Sequence, residues 1–252
     1  MNLFYFEKGS GYPVVFLHGF PFNHHLCDPL LPYLPEGFRY IFPDLRGFGK
    51  SPSTESDYSM AVMASDVIQL MDKINVQCAI LIGHSMGGYL ALEITRQIQT
   101  RISGIGLVAS HIYSDTPEGK ANRLNLIREL NSSPVTDVFA AMPENLSTNL
   151  TVQEYCRNAI KNANVAGLQG ALRAMAMRTS SESLWAALSI PKLIIAGTDD
   201  QFIPIDISQT IAHTGGDAIF KVIKNAGHMV IFEYPAETAA ELENFILQVS
   251  RE

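Results

Sequence analysis

Six short runs rich in Val, Ile, Leu and Phe punctuate the chain, at residues 14–17, 39–42, 78–82, 102–109, 192–196 and 218–223. A strand with one wet face alternates polar and apolar positions. Near-continuous apolar runs therefore fit strands covered on both faces, as in a parallel sheet. The runs stop at turn signals: His18-Gly19, Pro43-Asp44, Gly83, Ser110-His111, Gly197 and Asn225-Ala226-Gly227. Between them the period shifts to that of an amphipathic helix, over residues 60–74, 89–99, 204–213 and 235–249. Strand–helix alternation of this kind predicts a mostly parallel, doubly wound α/β sheet. Residues 3–7 with the turn Gly9-Ser10-Gly11 predict an antiparallel edge hairpin ahead of it.

One stretch departs from the alternation. Residues 112–187 show only helical patterns, at 118–130, 152–162 and 168–177. They carry seven basic and seven acidic residues, whereas residues 1–111 and 188–252 together carry 11 basic and 18 acidic ones, the whole of the formal charge of −7. The division predicts a core in two chain segments, 1–111 and 188–252, with a helical cap at 112–187 inserted between two strands. Such an insertion is placed to act as a lid over the carboxyl edge of the sheet, where open α/β folds bind ligands.

Composition narrows the function classes. With 47% hydrophobic and 17% charged residues in 252, the chain buries a sizeable core and is not disordered. An acidic balance without a run of five Lys or Arg argues against nucleic acid and against an anionic membrane as partners. No stretch nears the ~20 apolar residues that cross a bilayer, and the start lacks a basic region followed by a long apolar one. Cys27, Cys78 and Cys156 show no C-x-x-C spacing, so neither a disulfide framework nor a thiolate metal site is indicated. These features predict a cytoplasmic protein whose N-x-[ST] triplets at Asn131, Asn145 and Asn149 are not glycosylated. No His, Asp or Glu cluster has metal-ligand spacing, and neither metal nor organic cofactor is expected. Nothing in the sequence sets an oligomeric state.

The chemistry concentrates at strand ends. Gly83-His84-Ser85-Met86-Gly87 follows one strand and opens a helix. A serine on so tight a turn needs nearly bare positions two residues to either side, which Gly83 and Gly87 supply. The turn also puts Ser85 at a helix N-terminus, which favours developing negative charge. A hydroxyl is a weak nucleophile until a base takes its proton and a third group orients that base. His228, in the loop after the last strand, is the best placed base. His213 lies on a helical pattern, and His18, His24, His25, His84 and His111 fit structural roles in other loops. Asp199 and Asp200 follow the strand at 192–196, and spacing alone does not choose between these two adjacent carboxylates. Two backbone amides are candidates for an oxyanion hole, Met86 beside the nucleophile and Phe20 in His18-Gly19-Phe20-Pro21.

Over nearly its full length the chain resembles the α/β-hydrolase fold family, in its small, capped, serine-dependent form. The matching motifs are His18-Gly19-Phe20-Pro21, Pro43-Asp44-Leu45-Arg46-Gly47-Phe48-Gly49-Lys50-Ser51, Gly83 through Gly88, Gly197-Thr198-Asp199-Asp200-Gln201-Phe202-Ile203-Pro204, and Gly227-His228. The order Ser85, Asp, His228 is also that of the family. Its G-x-x-D-x-x-x-P pattern puts the acid on Asp200. The resemblance thus implies catalytic Ser85, Asp200 and His228, with the Phe20 and Met86 amides as oxyanion donors and no metal. It implies a carboxylesterase-like enzyme acting on small or medium esters, a small-molecule substrate being its partner.

Enol-lactone, C–C bond and thioester hydrolysis and perhydrolysis use the same triad. A triad-retaining ligand receptor is the reading from another class. Epoxide hydrolases and haloalkane dehalogenases share the His18 to Pro21 turn but need a carboxylate where Ser85 stands. Gly49-Lys50-Ser51 lacks the glycine of a phosphate-binding loop, since Asp44 occupies its place. Gly104-Ile105-Gly106 sits inside a strand pattern and not at the opening of a helix. In the cap, Glu144 and Glu154 are candidates to hold a substrate amine, as in aminopeptidase relatives. Phe139, Met142, Met175, Met177 and Trp185 suit either an acyl pocket or plain core.

Overall fold

Each apolar run becomes a strand. In the computed structural model, which describes residues 1–51, 53, 56–216 and 218–251, the chain opens with β1 (Tyr5–Gly9). It continues with β2 (Tyr12–Leu17), β3 (Phe38–Pro43), β4 (Ala79–His84), β5 (Ile102–Val108), β6 (Lys192–Gly197) and β7 (Ile219–Ile223). These form one seven-stranded sheet in the order β1-β3-β2-β4-β5-β6-β7. All neighbours are parallel except β1 with β3. Successive side chains of the doubly covered strands serve opposite layers. Val15, Leu17 and Leu81 pack with Val67, Leu90 and Ile94 on one face. Val14, Phe16, Ile80 and Ile82 pack with Leu242, Phe245 and Ile246 on the other. Each such side chain contributes roughly 1.5–3 kcal/mol by leaving water, so both faces drive the sheet's formation.

The predicted edge hairpin does not form. β1 is an antiparallel edge strand, but its partner is β3, with Tyr5 opposite Pro43 and Gly9 opposite Arg39. β2 is already flanked on both sides, by β3 and β4. The chain steps over the start of β3 between β1 and β2. A Cβ on Gly9 or Gly11 would there strike the carbonyl of Phe38 or Gly37, and both residues take positive φ.

Helices α1 (Met60–Lys73) and α2 (Met86–Ile98) follow β3 and β4. Between β5 and β6 the described residues hold six helices: α3 (Pro117–Glu129), α4 (Val135–Val138), α5 (Met142–Leu146), α6 (Leu150–Lys161), α7 (Val165–Ala176) and α8 (Glu182–Ala187). Thr116, Asn149 and Asn164 cap α3, α6 and α7 by accepting from their free amides. Asn149, the third of the N-x-[ST] positions, is therefore a helix cap. The Tyr58 hydroxyl donates to the Gly167 carbonyl at 2.9 Å and ties α7 to the segment before α1. The chain closes with α9 (Ile205–Ala212), α10 (Val230–Glu233) and α11 (Pro235–Val249). Among the described residues no helix is long and apolar enough to cross a membrane.

Candidate active site

The loops after β2, β4, β6 and β7 converge at the carboxyl edge of the sheet. At the end of β4 the chain turns on Ser85 with φ 51° and ψ −117°, a conformation L residues rarely hold. Its surroundings fix it there. The Ser85 amide donates to the Val108 carbonyl at 2.9 Å, and the Ser85 carbonyl accepts from Ser110 Oγ at 2.8 Å and from the Gly88 amide at 2.9 Å. A Cβ on Gly83 would meet the Gly87 carbonyl, and one on Gly87 would meet the Leu17 carbonyl. Helix α2 starts at Met86, three residues before the apolar period predicts, because Gly87 and Gly88 in its first turn carry no periodic signal.

After β6 the two carboxylates part company. Asp199 is exposed and accepts from Thr198 Oγ1 at 2.8 Å. Asp200 is buried, and its Oδ1 accepts from the Phe202 and Ile203 amides at 2.8 and 3.0 Å. Both Asp200 oxygens lie within reach of His228 Nδ1, at 3.0 and 2.9 Å. Burial works against the Asp200 charge, but His228 and the two amides outweigh it and hold the carboxyl below the usual range. With Nδ1–H given to this carboxylate, His228 Nε2 is left as an acceptor. The Ser85 hydroxyl donates to it at 2.8 Å.

The His228 loop is held from three directions. Its amide donates to the Leu146 carbonyl of α5 at 3.0 Å, and its carbonyl accepts from His84 Nε2 at 2.9 Å. The adjacent Gly227 amide donates to the Glu233 carboxylate. Burial, reinforced by His228, depresses the His84 pKa to about 3, so the ring is neutral and its single proton serves that carbonyl. Its Nδ1 is buried with no hydrogen-bond partner among the described residues.

On the β2 side, His18 Nδ1–H donates to the Gly19 carbonyl at 3.0 Å while Nε2 accepts from the Leu45 amide at 2.9 Å. Those two bonds require a neutral ring, and burial keeps it so, with a pKa near 4. The loop that His18 steadies carries Phe20. Among the described residues neither the Phe20 nor the Met86 amide donates to a protein acceptor.

Ser85, His228 and Phe20 line a cavity of about 460 Å³. Its apolar wall includes Met142, Leu146 and Met175 from the insert and Phe202, Ile203 and Ile207 from the segment after Asp200. The five aromatic and methionine candidates of the insert thus divide. Met142 and Met175 face the cavity, and Phe139 packs edge-on against Phe20 at 5.6 Å. Trp185 is fully buried with Nε1 donating to the Ile211 carbonyl, and Met177 is exposed. Glu144 and Glu154 line no part of this cavity and pair instead with Arg157. A larger space of about 640 Å³ lies between α6 and the segment around Asn23 and Asp28, and Ser85, Asp200 and His228 take no part in lining it.

Other histidines sit elsewhere. His24 packs against His25 with tilted rings 4.0 Å apart and meets buried Asp44 at 2.7 Å, and His213 is exposed at the end of α9. His111, unlike these, lines the cavity. Its Nδ1 accepts from the Tyr113 amide at 3.1 Å, and burial holds its pKa near 4. Its remaining proton, on Nε2, therefore goes to the Tyr89 oxygen 2.9 Å away. That leaves the Tyr89 hydroxyl proton free for another acceptor. Tyr89, Ser110, Leu146 and Glu233 carry no motif that marks them in the sequence, and His111, read there as a structural loop residue, lines the cavity instead. The spacing of Tyr89 one helical turn beyond Ser85 was the one signal available for any of them. Among the described residues no group of three or more His, Cys, Asp or Glu is placed to hold a metal ion.

A serine, imidazole and carboxylate joined in sequence at the carboxyl edge of a mostly parallel sheet define a hydrolase architecture, and the sequence profile of the α/β hydrolase fold matches residues 12–235. The chain belongs to that family. It is similar to a thermophilic esterase from Thermogutta terrifontis, solved with malate bound, at 30% identity and a TM-score of 0.94 over 98% of this chain and 93% of that one. It is 26% identical to the AB hydrolase superfamily protein YisY of Bacillus subtilis, over 92% of this chain and 91% of the relative. A non-heme chloroperoxidase of Streptomyces lividans is 27% identical over 97% and 96%.

Proposed function

We propose that the protein is a serine hydrolase that cleaves small or medium carboxylic esters through an acyl-enzyme. The observation that carries this reading is the continuous path from Ser85 Oγ to His228 Nε2 at 2.8 Å and from His228 Nδ1 to Asp200 at 2.9 Å, opening on a cavity of about 460 Å³. The likeness to an esterase over nearly the whole of both chains supports it.

In the proposed sequence, His228 takes the Ser85 proton as Oγ bonds to the ester carbonyl carbon. The Met86 and Phe20 amides receive the negative charge that develops on the carbonyl oxygen. As the tetrahedral intermediate collapses, the C–O bond to the alcohol breaks and His228 hands its proton to the departing oxygen. Asp200 steadies the imidazolium while it exists. A water then gives a proton to His228 and attacks the acyl carbon, and Ser85 leaves with that proton. No metal or organic cofactor enters these steps. Residues 112–187 serve as the cap, and Met142, Leu146 and Met175 form the part of the acyl site that it contributes.

Labelling with a fluorophosphonate followed by turnover of p-nitrophenyl esters tests the reading. Many turnovers per Ser85, lost in Ser85→Ala, are expected. Rapid labelling with about one turnover per chain would instead indicate a receptor that keeps the constellation for sensing. Turnover that persists in Ser85→Ala would end the proposal.

A further inference from the structure

One wall of the cavity is charged, and the charge is not needed for hydrolysing a neutral ester. Asp115 is the only carboxylate lining it among the described residues, and Arg123 the only cation. Asp115 accepts from Arg123 Nε at 2.6 Å and from Arg178 Nη1 at 2.6 Å. Arg178 lies beneath the wall, buried, 4.0 Å over the Tyr89 ring, and it also donates to the Met175 and Tyr113 carbonyls. Two guanidinium groups therefore share one carboxylate.

Of the two guanidinium groups, Arg123 is the one that lines the cavity. Its side chain is 26% exposed, and among the described residues its two Nη groups donate to no protein acceptor. The Nε bond to Asp115 fixes the plane of the group and leaves a two-pronged donor edge open, the geometry that matches a carboxylate with two parallel bonds. A net charge of −7 makes a cation here a local arrangement, not a reflection of general basicity. The spare Tyr89 hydroxyl proton adds a neutral donor in the same cavity.

We propose that this cavity selects esters bearing a free carboxylate, which Arg123 binds while Ser85 attacks the ester carbonyl. The proposal rests on the esterase reading for turnover, but binding tests it separately. The carboxylate can belong to the acyl half, as in a dicarboxylic half-ester, or to the leaving alcohol.

Two substrate pairs distinguish these: monomethyl glutarate against its neutral amide counterpart, and 4-acetoxybutyrate against 4-acetoxybutyramide. For one pair, wild type should prefer the acid in kcat/KM. Arg123→Gln should cut that acid-to-amide preference roughly 10–100-fold, the range of a charge-assisted hydrogen bond. Arg123→Lys, which keeps the charge without the fork, should restore part of it. In the same experiment, calorimetry of glutarate with the Ser85→Ala protein should show saturable binding, weakened at least about tenfold by adding Arg123→Gln. Glutarate binding without ester turnover would retain the carboxylate site and discard the esterase reading. A preference unchanged in both Arg123 variants, or no glutarate binding to a folded Ser85→Ala protein, would overturn the proposal.

Discussion

The sheet core and the helical insert approach the same cavity by different means. On the core side, Ser85, Asp200 and His228 stand in the turns that follow β4, β6 and β7, and bonds to backbone groups hold these turns and the β2 loop: Ser85 to Val108, Asp200 to Phe202 and Ile203, His18 to Leu45. The insert offers side chains from its own helices, Arg123 from α3, Met142 from α5 and Met175 from α7, none of which continues a strand of the sheet. The difference teaches where each property is encoded. Reactivity needs sub-ångström placement, which rigid elements supply, and under the proposed function the choice of substrate falls to the side chains of the insert.

Perturbing the two regions should therefore give different signatures. The largest effect belongs to the core: Ser85→Ala should lower kcat for ester hydrolysis by about 10⁶-fold with the fold intact by circular dichroism. Asp200→Asn should cost about 10⁴-fold in kcat, because the amide no longer enforces the proton arrangement of His228. Asp199→Asn should stay within about threefold, since a surface change away from the site is worth about 0.5 kcal/mol. A reversal of those two results would reassign the orienting acid.

Acid should act next, through stability. His18, His84 and His111 have folded pKa values depressed to about 4, 3 and 4 from 6.5. Below pH 6.5 the unfolded chain takes up these protons first, so stability is lost as pH falls from 6.5 toward 4. Each group contributes a slope of up to about 1.4 kcal/mol per pH unit. Thermal melts across that window should show the decline, and His111→Gln should flatten it by removing one of the three terms. A melting temperature independent of pH from 7 to 4 would refute the neutral-histidine assignment.

Gly87→Ala should destabilise by about 1–3 kcal/mol, as its methyl group drives the elbow away from the Leu17 carbonyl, and should lower kcat with it. The smallest change belongs to the insert. Met142→Ala should alter the ranking of acyl chain lengths by a factor of about 10 or less while leaving fluorophosphonate labelling fast. An equal loss for every ester would mean that Met142 supports the core machinery instead.

Sequence legibility follows the same divide. Ser85 and His228 stand where the sequence places them, Ser85 directly after buried β4 and His228 in the loop five residues beyond the partly buried edge strand β7. Asp200 over Asp199 could not be read from spacing, because the choice depends on a distant loop: the Asp199 amide donates to the Ala226 carbonyl and turns its own side chain to solvent. The mistaken hairpin has a similar cause, since strand order is a long-range property and Gly9-Ser10-Gly11 has the same composition as a hairpin turn. In the insert, periodicity marks an apolar face without saying what covers it. Met175 meets the cavity, Trp185 meets α9, and Met177 meets water.

The hydrogen bond from the His228 amide to the Leu146 carbonyl joins the two regions at one point. In the proposed reaction, an outward displacement of Leu146 would remove that bond and leave His84 and Asp200 to hold the base. Under the proposed mechanism, entry of substrate past Leu146 and placement of the imidazole would then depend on one shared contact.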